Sequence, residues 1–270
     1  KASNLNFNCF PSEESNILSY DEIVSINFDS IPLLKDVGYL VVKNVISKKN
    51  INQARDAYFN LFENGEYEKK DNWVHLKNHK DSHGCNNHPS KLFLDTEEFN
   101  RIIKSPKLIN LSKIILRTNK STISPRMIVR SFSNLSKRCT YAHRDKEYFK
   151  SSNPQNVATC WIPLGPVGKD FGQLIYLSGS QKKELIIDNL VDQEKIISKN
   201  LNQLSDKLKL RWIRPLINEG DVIFHSLEIV HASFDSNSNI PRLSLDIRFT
   251  SSKADNDPRW SSSWRGDDGL

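Results

Sequence analysis

Cysteine is scarce in this chain, and the few cysteines lie far apart. They are Cys9, Cys85, Cys139 and Cys160, and no two of them form a Cys-x-x-Cys pair. This spacing argues against a disulfide framework and against a cysteine-rich zinc site. A reducing compartment is the expectation that follows, with the cytoplasm as the default.

Long apolar stretches and targeting signals are also missing. No stretch reaches the roughly 18 apolar residues that a membrane-spanning helix needs. The N-terminal region is polar and lacks the apolar segment of a signal peptide. The sequence therefore predicts a soluble protein with no membrane partner, although a targeting segment that had been removed would leave no trace.

The common phosphate and nucleophile motifs do not occur. The chain has no P-loop, no Gly-x-Gly-x-x-Gly, no Gly-x-Ser-x-Gly and no kinase signature, so phosphate-cradling and acyl-transfer mechanisms lack support. The net charge is +6 and the isoelectric point is near 9.0, yet no long Lys/Arg run is present. We therefore expect a small anionic substrate rather than nucleic acid, or a charge that serves solubility alone.

What the chain does contain is a helical first part followed by a β-rich second part. Its 270 residues suit one domain, predicted over 1–270, with a helical part at about 1–120 and a β core at about 121–250. A charged helical insertion is predicted at about 181–217, and a tail at 251–270. Short β-branched runs separated by Pro, Gly, Asn or Ser predict antiparallel strands at 126–130, 157–162, 173–177, 221–225 and 243–249.

In the first part, apolar spacing and capping residues give a coarse element order. The pattern predicts a short helix and turn over 21–34, a strand over 38–43 and a polar loop over 71–90. It also predicts one helix from a Ser47 cap to about 64–65 and another, capped by Thr96, over 97–117.

Two histidines and one aspartate in the β-rich part form a candidate metal site. His143 and Asp145 are two residues apart, so on a strand they would point to the same face. With His231 they make a two-histidine, one-carboxylate triad, which leaves metal positions open and suits non-haem Fe(II). A His-x-Asp pair also occurs at His79 and Asp81, but in a polar segment before the β region.

An arginine near the third ligand suggests what fills the open metal positions. If the polar turn 235–239 closes a hairpin centred on Ser236 and Asn237, His231 lies directly opposite Arg242 and shares its face. A guanidinium matches a carboxylate bidentately, so Arg242 could hold a metal-bound dicarboxylate, with Ser244 adding a hydroxyl donor.

Other histidines leave alternatives open. His225 precedes His231 by six residues and could be a rival metal ligand. We interpret it instead as a core residue or as a residue behind the metal ligands. His75, His79 and His83, with Cys85 and His88 nearby, could bind zinc if they were helical. The Gly, Asn and Pro among them favour a mobile loop instead, which could still cover the active site.

Taken together, these motifs resemble the phytanoyl-CoA dioxygenase-like family of Fe(II)/2-oxoglutarate oxygenases. The resemblance rests on His143-x-Asp145, His231 and Arg242-x-Ser244, and it extends from residue 38 to Phe249. It includes Trp161-Ile-Pro-Leu, the stretch 172–180 and Gly220-Asp-Val-Ile-Phe-His.

The resemblance implies a mainly β fold with flanking α-helices, built on a double-stranded β-helix (a jelly-roll, cupin-like core). It implies that His143, Asp145 and His231 bind Fe(II), and that Arg242 and Ser244 hold the far carboxylate of 2-oxoglutarate. Trp161 and Thr159 would line the cosubstrate pocket. Arg130, Met127, Trp73 and His75 are candidate substrate contacts.

The chain lacks one residue of the family's sequence pattern and retains another. Ser178-Gly-Ser-Gln181 stands where the family usually has a histidine as the last residue, which removes any role of that histidine. Because Asp145 is retained, a halogenase, which needs that ligand position empty, is disfavoured.

We therefore expect an oxygenase that uses Fe(II), 2-oxoglutarate and O2 to oxidise an unactivated C–H bond, by hydroxylation, desaturation or ring closure. Basic residues suggest a carboxylated or phosphorylated small-molecule substrate: Arg126, Arg130, Arg138, Arg144, Arg259 and Arg265. The alternatives are a cupin-like metal protein that uses no 2-oxoglutarate and a non-enzymatic binding module. A tail containing Trp260 and Trp264 either packs on the barrel mouth or stays on the surface.

Overall fold

The protein consists of two facing β-sheets with helices packed outside. A computed structural model describes residues 9–11, 16–62, 65–71, 73–77, 90–134, 140–255 and 257–263. Within these residues, no helix is both long and apolar enough to cross a membrane. The architecture confirms the predicted jelly-roll class.

The larger sheet has seven strands. They are β2 (Ile17–Ser19), β3 (Tyr39–Lys43), β6 (Ser121–Ile123), β7 (Ile128–Phe132), β8 (Val157–Pro163), β11 (Val222–Ser226) and β13 (Arg242–Ser251). Their order is β2-β3-β11-β8-β13-β6, and β7 also pairs with β13. The long strand β13 lies between β8 on one side and β6 and β7 on the other. The polar side chains that point toward the smaller sheet are grouped around this strand.

The smaller sheet has four strands. They are β1 (Cys9–Pro11), β9 (Leu174–Ser178), β10 (Arg211–Arg214) and β12 (His231–Ser233), in the order β1-β10-β9-β12. A separate hairpin is formed by β4 (Tyr67–Lys70) and β5 (Trp73–Leu76). The polar loop expected over 71–90 is thus wrong at its start, since alternating side chains in 73–76 form a strand.

In the described part of the first half, six helices cover the outer face of the larger sheet. They are α1 (Tyr20–Ser25), α2 (Leu34–Val37), α3 (Lys48–Phe59), α4 (Ser90–Phe93), α5 (Glu97–Ile103) and α6 (Pro106–Ile115). Ile51 of α3 and Leu111 of α6 belong to the same buried cluster as Leu40, Phe224 and Ile247 of the sheet. Burial of this apolar face in the main core, more than helix propensity, holds these short helices in place.

Caps and prolines set the helix limits. Ser47 accepts a hydrogen bond from the amide of Asn50, and Thr96 accepts one from Phe99, so both predicted caps are confirmed. The single helix expected over 97–117 is two helices. Pro106 lacks the amide hydrogen that an unbroken helix needs, and it begins α6 instead.

Two further helices, α7 (Glu184–Asp188) and α8 (Leu201–Leu208), cover the outer face of the smaller sheet. Leu201 and Leu204 pack with Ile175, Leu177 and Trp212. The insertion predicted over 181–217 therefore ends too late, because 211–214 is strand β10, and its two helices lie behind this sheet.

Between the sheets, apolar side chains fill one end and polar ones the other. Tyr39, Trp161, Tyr176 and Ile223 form the apolar cluster there. Along β13, alternation turns Leu243, Leu245 and Ile247 outward into the main core, so that the intervening residues point inward. The inward polar end is where the predicted site residues meet.

Candidate active site

A two-residue backbone bridge places the two candidate histidine ligands side by side. The amide of His143 donates to the carbonyl of His231 at 3.1 Å, and the amide of His231 donates back at 3.0 Å. The centroids of the two imidazole rings are 4.2 Å apart. His143 is thus positioned by an isolated bridge rather than by the continuous strand that the His-x-Asp spacing suggested.

Each imidazole has one nitrogen occupied by backbone. Nδ1 of His143 lies 2.8 Å from the carbonyl oxygen of Tyr141, and Nδ1 of His231 lies 3.2 Å from that of Ile229. A carbonyl only accepts, so each Nδ1 carries the hydrogen and each Nε2 keeps its lone pair. This orientation is the one that metal-binding histidines use.

Asp145 completes the group. It begins a short 3-10 turn, residues 145–147, directly after the bridge. Its Oδ1 lies 3.8 Å from Nε2 of His231, and the potential ligand atoms of His143, Asp145 and His231 all lie within 4.8 Å of one another. All three side chains are buried, so the group fits a facial triad for a divalent metal.

Three donors hold the Asp145 carboxylate. Thr159 donates its hydroxyl hydrogen to Oδ2, His225 Nε2 lies 3.3 Å from the same oxygen, and Arg248 Nη2 lies 2.9 Å from Oδ1. Burial opposes ionisation, but the charge of Arg248 and the bond from His225 hold the pKa of Asp145 well below its usual range. The carboxylate is therefore charged and oriented in the metal-free protein.

Burial also keeps the histidine ligands neutral. Burial lowers the pKa of His143 and that of His231. The neighbouring His143 lowers the pKa of His231 further. Neutral imidazole is the form that binds metal. The three side chains are thus in the protonation states that a metal requires.

His225 acts behind the triad and is not a fourth member of it. Its Nδ1 lies 2.9 Å from the Tyr176 hydroxyl, and the Tyr176 ring stacks on Tyr39 with centroids 4.7 Å apart. Both ring nitrogens of His225 thus have protein partners, which agrees with its interpretation as a buried supporting residue. The chain Tyr176–His225–Asp145 fixes the carboxylate from the apolar side.

A narrow inner pocket joins the triad to Arg242. Trp161 and Leu174 line it together with His143, Asp145 and His231. The Arg242 guanidinium lies 4.4 Å from the Phe132 ring centroid and 5.5 Å from that of Trp161. The pocket is therefore a short path from a metal site to a buried cation.

Arg242 is only 1% exposed and makes no ion pair among the described residues. Its Nε and Nη1 atoms have no hydrogen-bond partner there, and neither has the Ser244 hydroxyl oxygen, two residues on along the same face. Burial lowers the pKa of Arg242 to about 9. An unpaired buried guanidinium is costly, and an anion in this pocket would compensate its charge.

The predicted hairpin geometry is wrong, although both residues reach the pocket. His231 pairs with Tyr176 in the smaller sheet, whereas Arg242 pairs with Phe132 in the larger one. The segment between them crosses from one sheet to the other instead of closing a two-stranded hairpin. They meet because the sheets face each other.

An outer cavity of about 500 Å³ opens on the other side of His143 and Asp145. Its charged lining consists of Arg126, Arg130, Asp145, Glu194, Lys195 and Arg248. Ile128, Tyr148 and Trp260 give it an apolar part. The cavity has more cationic than anionic groups, and it reaches the triad directly.

The remaining candidates divide into those at the site and those outside it. Arg130 lines both spaces and forms an ion pair with Asp246 at 3.1 Å. Thr159 donates to Asp145 and lines neither space, so what the structure shows for it is a contact with this candidate metal ligand. Met127 packs against the main hydrophobic core.

Trp73 and His75, expected near substrate, lie on β5 and line neither space. The Arg55 guanidinium lies 4.6 Å from the Trp73 ring centroid. Arg144, expected at the mouth, is buried in ion pairs with Glu147 and Asp188.

Some expectations fall on residues that the structure does not describe. Outside the described residues lie Arg138, Arg265, Trp264, His79, Asp81, His83, Cys85 and His88.

Sequence reasoning missed Arg248, Asp246, Tyr176 and the segment 193–195. Arg248 had a readable signal, because it follows Arg242 by six residues on one strand and so shares its face. The tail was expected either to pack on the barrel mouth or to stay on the surface. At Trp260 it packs, because this residue is 2% exposed and lines the outer cavity.

A jelly roll with a buried His-Asp-His group and an adjoining cationic pocket defines the class: the fold and site of a non-haem metalloenzyme. The family model of phytanoyl-CoA dioxygenase (PhyH) matches residues 34–244. The chain belongs to this family and is an Fe(II)/2-oxoglutarate-dependent oxygenase.

Solved structures show the same fold at low identity. The epimerase SnoN in complex with Fe3+, alpha ketoglutarate and nogalamycin RO is 17% identical, with 83% of each chain covered and a TM-score of 0.60. The carbocyclase SnoK from nogalamycin biosynthesis is 16% identical, covering 87% of this chain and 88% of that one, with a TM-score of 0.60.

EctD from S. alaskensis, solved with 2-oxoglutarate and 5-hydroxyectoine, is 13% identical over 80% of this chain and 73% of its own, with a TM-score of 0.53. No curated protein sequence matches this chain significantly.

Proposed function

We propose that this protein oxidises an unactivated C–H bond of a small anionic molecule, with Fe(II) held by His143, Asp145 and His231. The observation that carries the proposal is the Arg242 guanidinium, buried and without an ion pair among the described residues, in the same pocket as the triad. That arrangement fits a dicarboxylate that reaches from the metal to the arginine.

Arg242 and Ser244 would bind the far carboxylate of 2-oxoglutarate. The unpartnered Nε–H and Nη1–H bonds of Arg242 donate to carboxylate oxygens, and the Ser244 hydroxyl donates a further hydrogen. Trp161 and Leu174 are the apolar part of a lining that is otherwise charged or polar. Exclusion of bulk water from this buried pocket strengthens the charge interaction.

When bound, Fe(II) and 2-oxoglutarate supply the oxidising chemistry: O2 is reduced, 2-oxoglutarate gives succinate and CO2, and one oxygen atom is available to the substrate. The protein's part is orientation. Thr159, His225 and Arg248 hold Asp145, while the carbonyls of Tyr141 and Ile229 hold the two imidazoles.

The substrate would occupy the outer cavity, which adjoins His143 and Asp145. Arg126, Lys195 and Arg248 favour a carboxylated or phosphorylated molecule. Hydroxylation is the default outcome. Desaturation and ring closure begin with removal of the same hydrogen, so the pose of the substrate decides among them.

The proposal is tested with the purified protein under anaerobic conditions. Addition of Fe(II) and 2-oxoglutarate should give a visible charge-transfer band, and subsequent exposure to O2 with ascorbate should release succinate. Because a bidentate charged pair is lost, Arg242→Met should weaken 2-oxoglutarate binding by about 10- to 100-fold while iron still binds.

The matched control is Arg211→Met, which removes an exposed arginine that lines neither space. It should leave the band and succinate release unchanged. Iron binding without any 2-oxoglutarate-dependent band would favour the cupin-like alternative. A band without succinate release would favour a binding module.

A further inference from the structure

Two buried guanidinium groups share one tryptophan at the outer cavity. The Arg248 guanidinium lies 4.5 Å from the Trp260 ring centroid, and that of Arg126 lies 5.7 Å from it. All three residues are at most 5% exposed, and all three line the cavity. The tail residue Trp260 thus gathers two cations at the place where substrate would enter.

Arg248 uses only part of its hydrogen-bonding capacity. Its Nη2 contacts Oδ1 of Asp145 at 2.9 Å. Its Nε and Nη1 atoms are buried and have no hydrogen-bond partner among the described residues. A guanidinium has five N–H bonds in a rigid fork, so Arg248 can hold Asp145 and still bind a second anion.

The surrounding charge points to the same kind of ligand. Arg130 is neutralised by Asp246 at 3.1 Å, and the charge of Asp145 is shared with Arg248. Glu194 is the other acidic residue in the lining, while Arg126 and Lys195 are both cationic. A ligand that fills this cavity must therefore bring negative charge close to Arg248.

Trp260 is fixed independently of any ligand. Its indole N–H donates to the carbonyl of Tyr148 at 2.9 Å, and its ring lies 5.3 Å from that of Phe149. Asp257, three residues earlier, accepts the amide hydrogen of Lys150 at 2.8 Å. The tail therefore holds the two arginines in place before substrate arrives.

On the basis of the proposed function, we propose that Arg248 and Arg126 bind a carboxylate or phosphate group of the substrate, with Trp260 as their positioning residue. Because Arg248 also holds Asp145, the anion is fixed relative to the metal site itself. The carbon that is oxidised is then set by its distance along the substrate from that anionic group.

The first experiment measures the charge requirement. Phenylacetate, phenyl phosphate and neutral phenylacetamide are titrated by calorimetry, without O2, into wild-type protein loaded with Fe(II) and 2-oxoglutarate. At least one anion should bind 10-fold or more tightly than the amide, and the tighter of the two distinguishes a carboxylate from a phosphate source. Equal binding of all three, or no binding of either anion, would overturn the proposal.

The second experiment tests the arginines. Arg126→Met and Arg248→Lys should each weaken binding of the preferred anion about 10-fold or more, and Trp260→Phe should weaken it less. Arg211→Met is the matched control and should bind as wild type does. Thermal melts identify any variant that fails to fold. Arg248→Lys keeps the positive charge but removes the forked hydrogen-bonding geometry of the guanidinium.

The visible band from bound 2-oxoglutarate is recorded for every variant. If the arginine variants lose cosubstrate affinity as much as anion affinity, these residues serve the cosubstrate and the proposal is wrong. If wild type shows arginine-dependent anion binding but no succinate release, the proposed function fails and the anion site stands. The two failures are thus distinguishable.

Discussion

At the residue scale, the two arginines on strand β13 differ in whether their charge is paired with a carboxylate. Arg248 is paired with Asp145, whereas Arg242 is buried with a lowered pKa of about 9 and no ion pair among the described residues. Burying an uncompensated charge costs several kcal/mol in general. We therefore expect Arg242 to reduce stability in the absence of a ligand, as the proposed role in binding 2-oxoglutarate requires.

This cost predicts a gain in stability when Arg242 is replaced. In the protein without metal or cosubstrate, Arg242→Met should raise the free energy of unfolding by about 1–3 kcal/mol, because an apolar side chain of similar length replaces the buried cation. Urea titration measures the change. The same variant should lose the thermal stabilisation that 2-oxoglutarate gives to the iron-loaded wild type.

Arg144 provides the matched control for this prediction. It is equally buried, but it forms ion pairs with Glu147 and Asp188. Arg144→Met should therefore lower the free energy of unfolding, by about 3 kcal/mol or more, since Glu147 and Asp188 lose a buried cationic partner. A loss of stability in both variants would show that Arg242 is not an unpaired charge.

Single residues also show what sequence can and cannot reveal. His143, Asp145 and His231 were recognisable because metal ligation demands particular side chains at a particular spacing. Tyr176 was not, since a tyrosine in an apolar strand is typical of a core, and its bond to His225 depends on the register of two different sheets.

At the element scale, the turn at 235–239 marks the limit of local reasoning. Two apolar segments around a polar turn resemble a hairpin, but β12 and β13 pair with β9 and with β7 and β8 instead. The partner of each strand is a segment distant in sequence. The spacing of residues along the chain therefore does not predict it. The helices over 48–59 and 97–103 were predictable because their caps are local.

The turn before β11 yields a prediction of its own. Gly220 has φ +93°, and a Cβ atom there would lie 2.5 Å from the carbonyl oxygen of Ile46. That oxygen belongs to backbone, and the Gly220 carbonyl also accepts the amides of Val45 and Ile46. Gly220→Ala should therefore destabilise the protein by about 2 kcal/mol or more, through both φ strain and the clash.

Gly65 separates these two contributions. Its φ is +104°, but no atom of the residues that the structure describes lies within 4 Å of an added Cβ. Gly65→Ala should cost about 1 kcal/mol, the cost of the backbone conformation alone. Chemical denaturation of the two variants gives the difference. Equal losses would mean that the contact with Ile46 is relieved by a small backbone shift.

At the scale of the whole molecule, the site exists only when several distant segments are in place. His143 and His231 are joined by a bridge, Arg242 comes from the facing sheet, and Trp260 closes the outer cavity from the tail. None of these contacts is local. Composition and periodicity could predict two sheets with helices outside, but only the closed barrel brings the ligands and both cationic pockets together.

The burial of two neutral histidines also makes the stability of the whole metal-free protein depend on pH. Burial holds the pKa of His143 below its ordinary value near 6.5, and that of His231 well below it. The unfolded chain therefore binds protons near pH 6.5 that the folded protein does not. The free energy of unfolding should fall as pH drops from 7 to 5, by up to about 1.4 kcal/mol per pH unit for each group.

Urea titrations of the metal-free protein at pH 7, 6 and 5 measure this slope. His231→Gln removes the group with the lower pKa, so the slope over this range should decrease. Asp145 does not contribute within this range, because its pKa lies well below 3.8 and its stabilisation is lost only at lower pH. A slope unaffected by His231→Gln would mean that the acid sensitivity of the fold arises outside the triad.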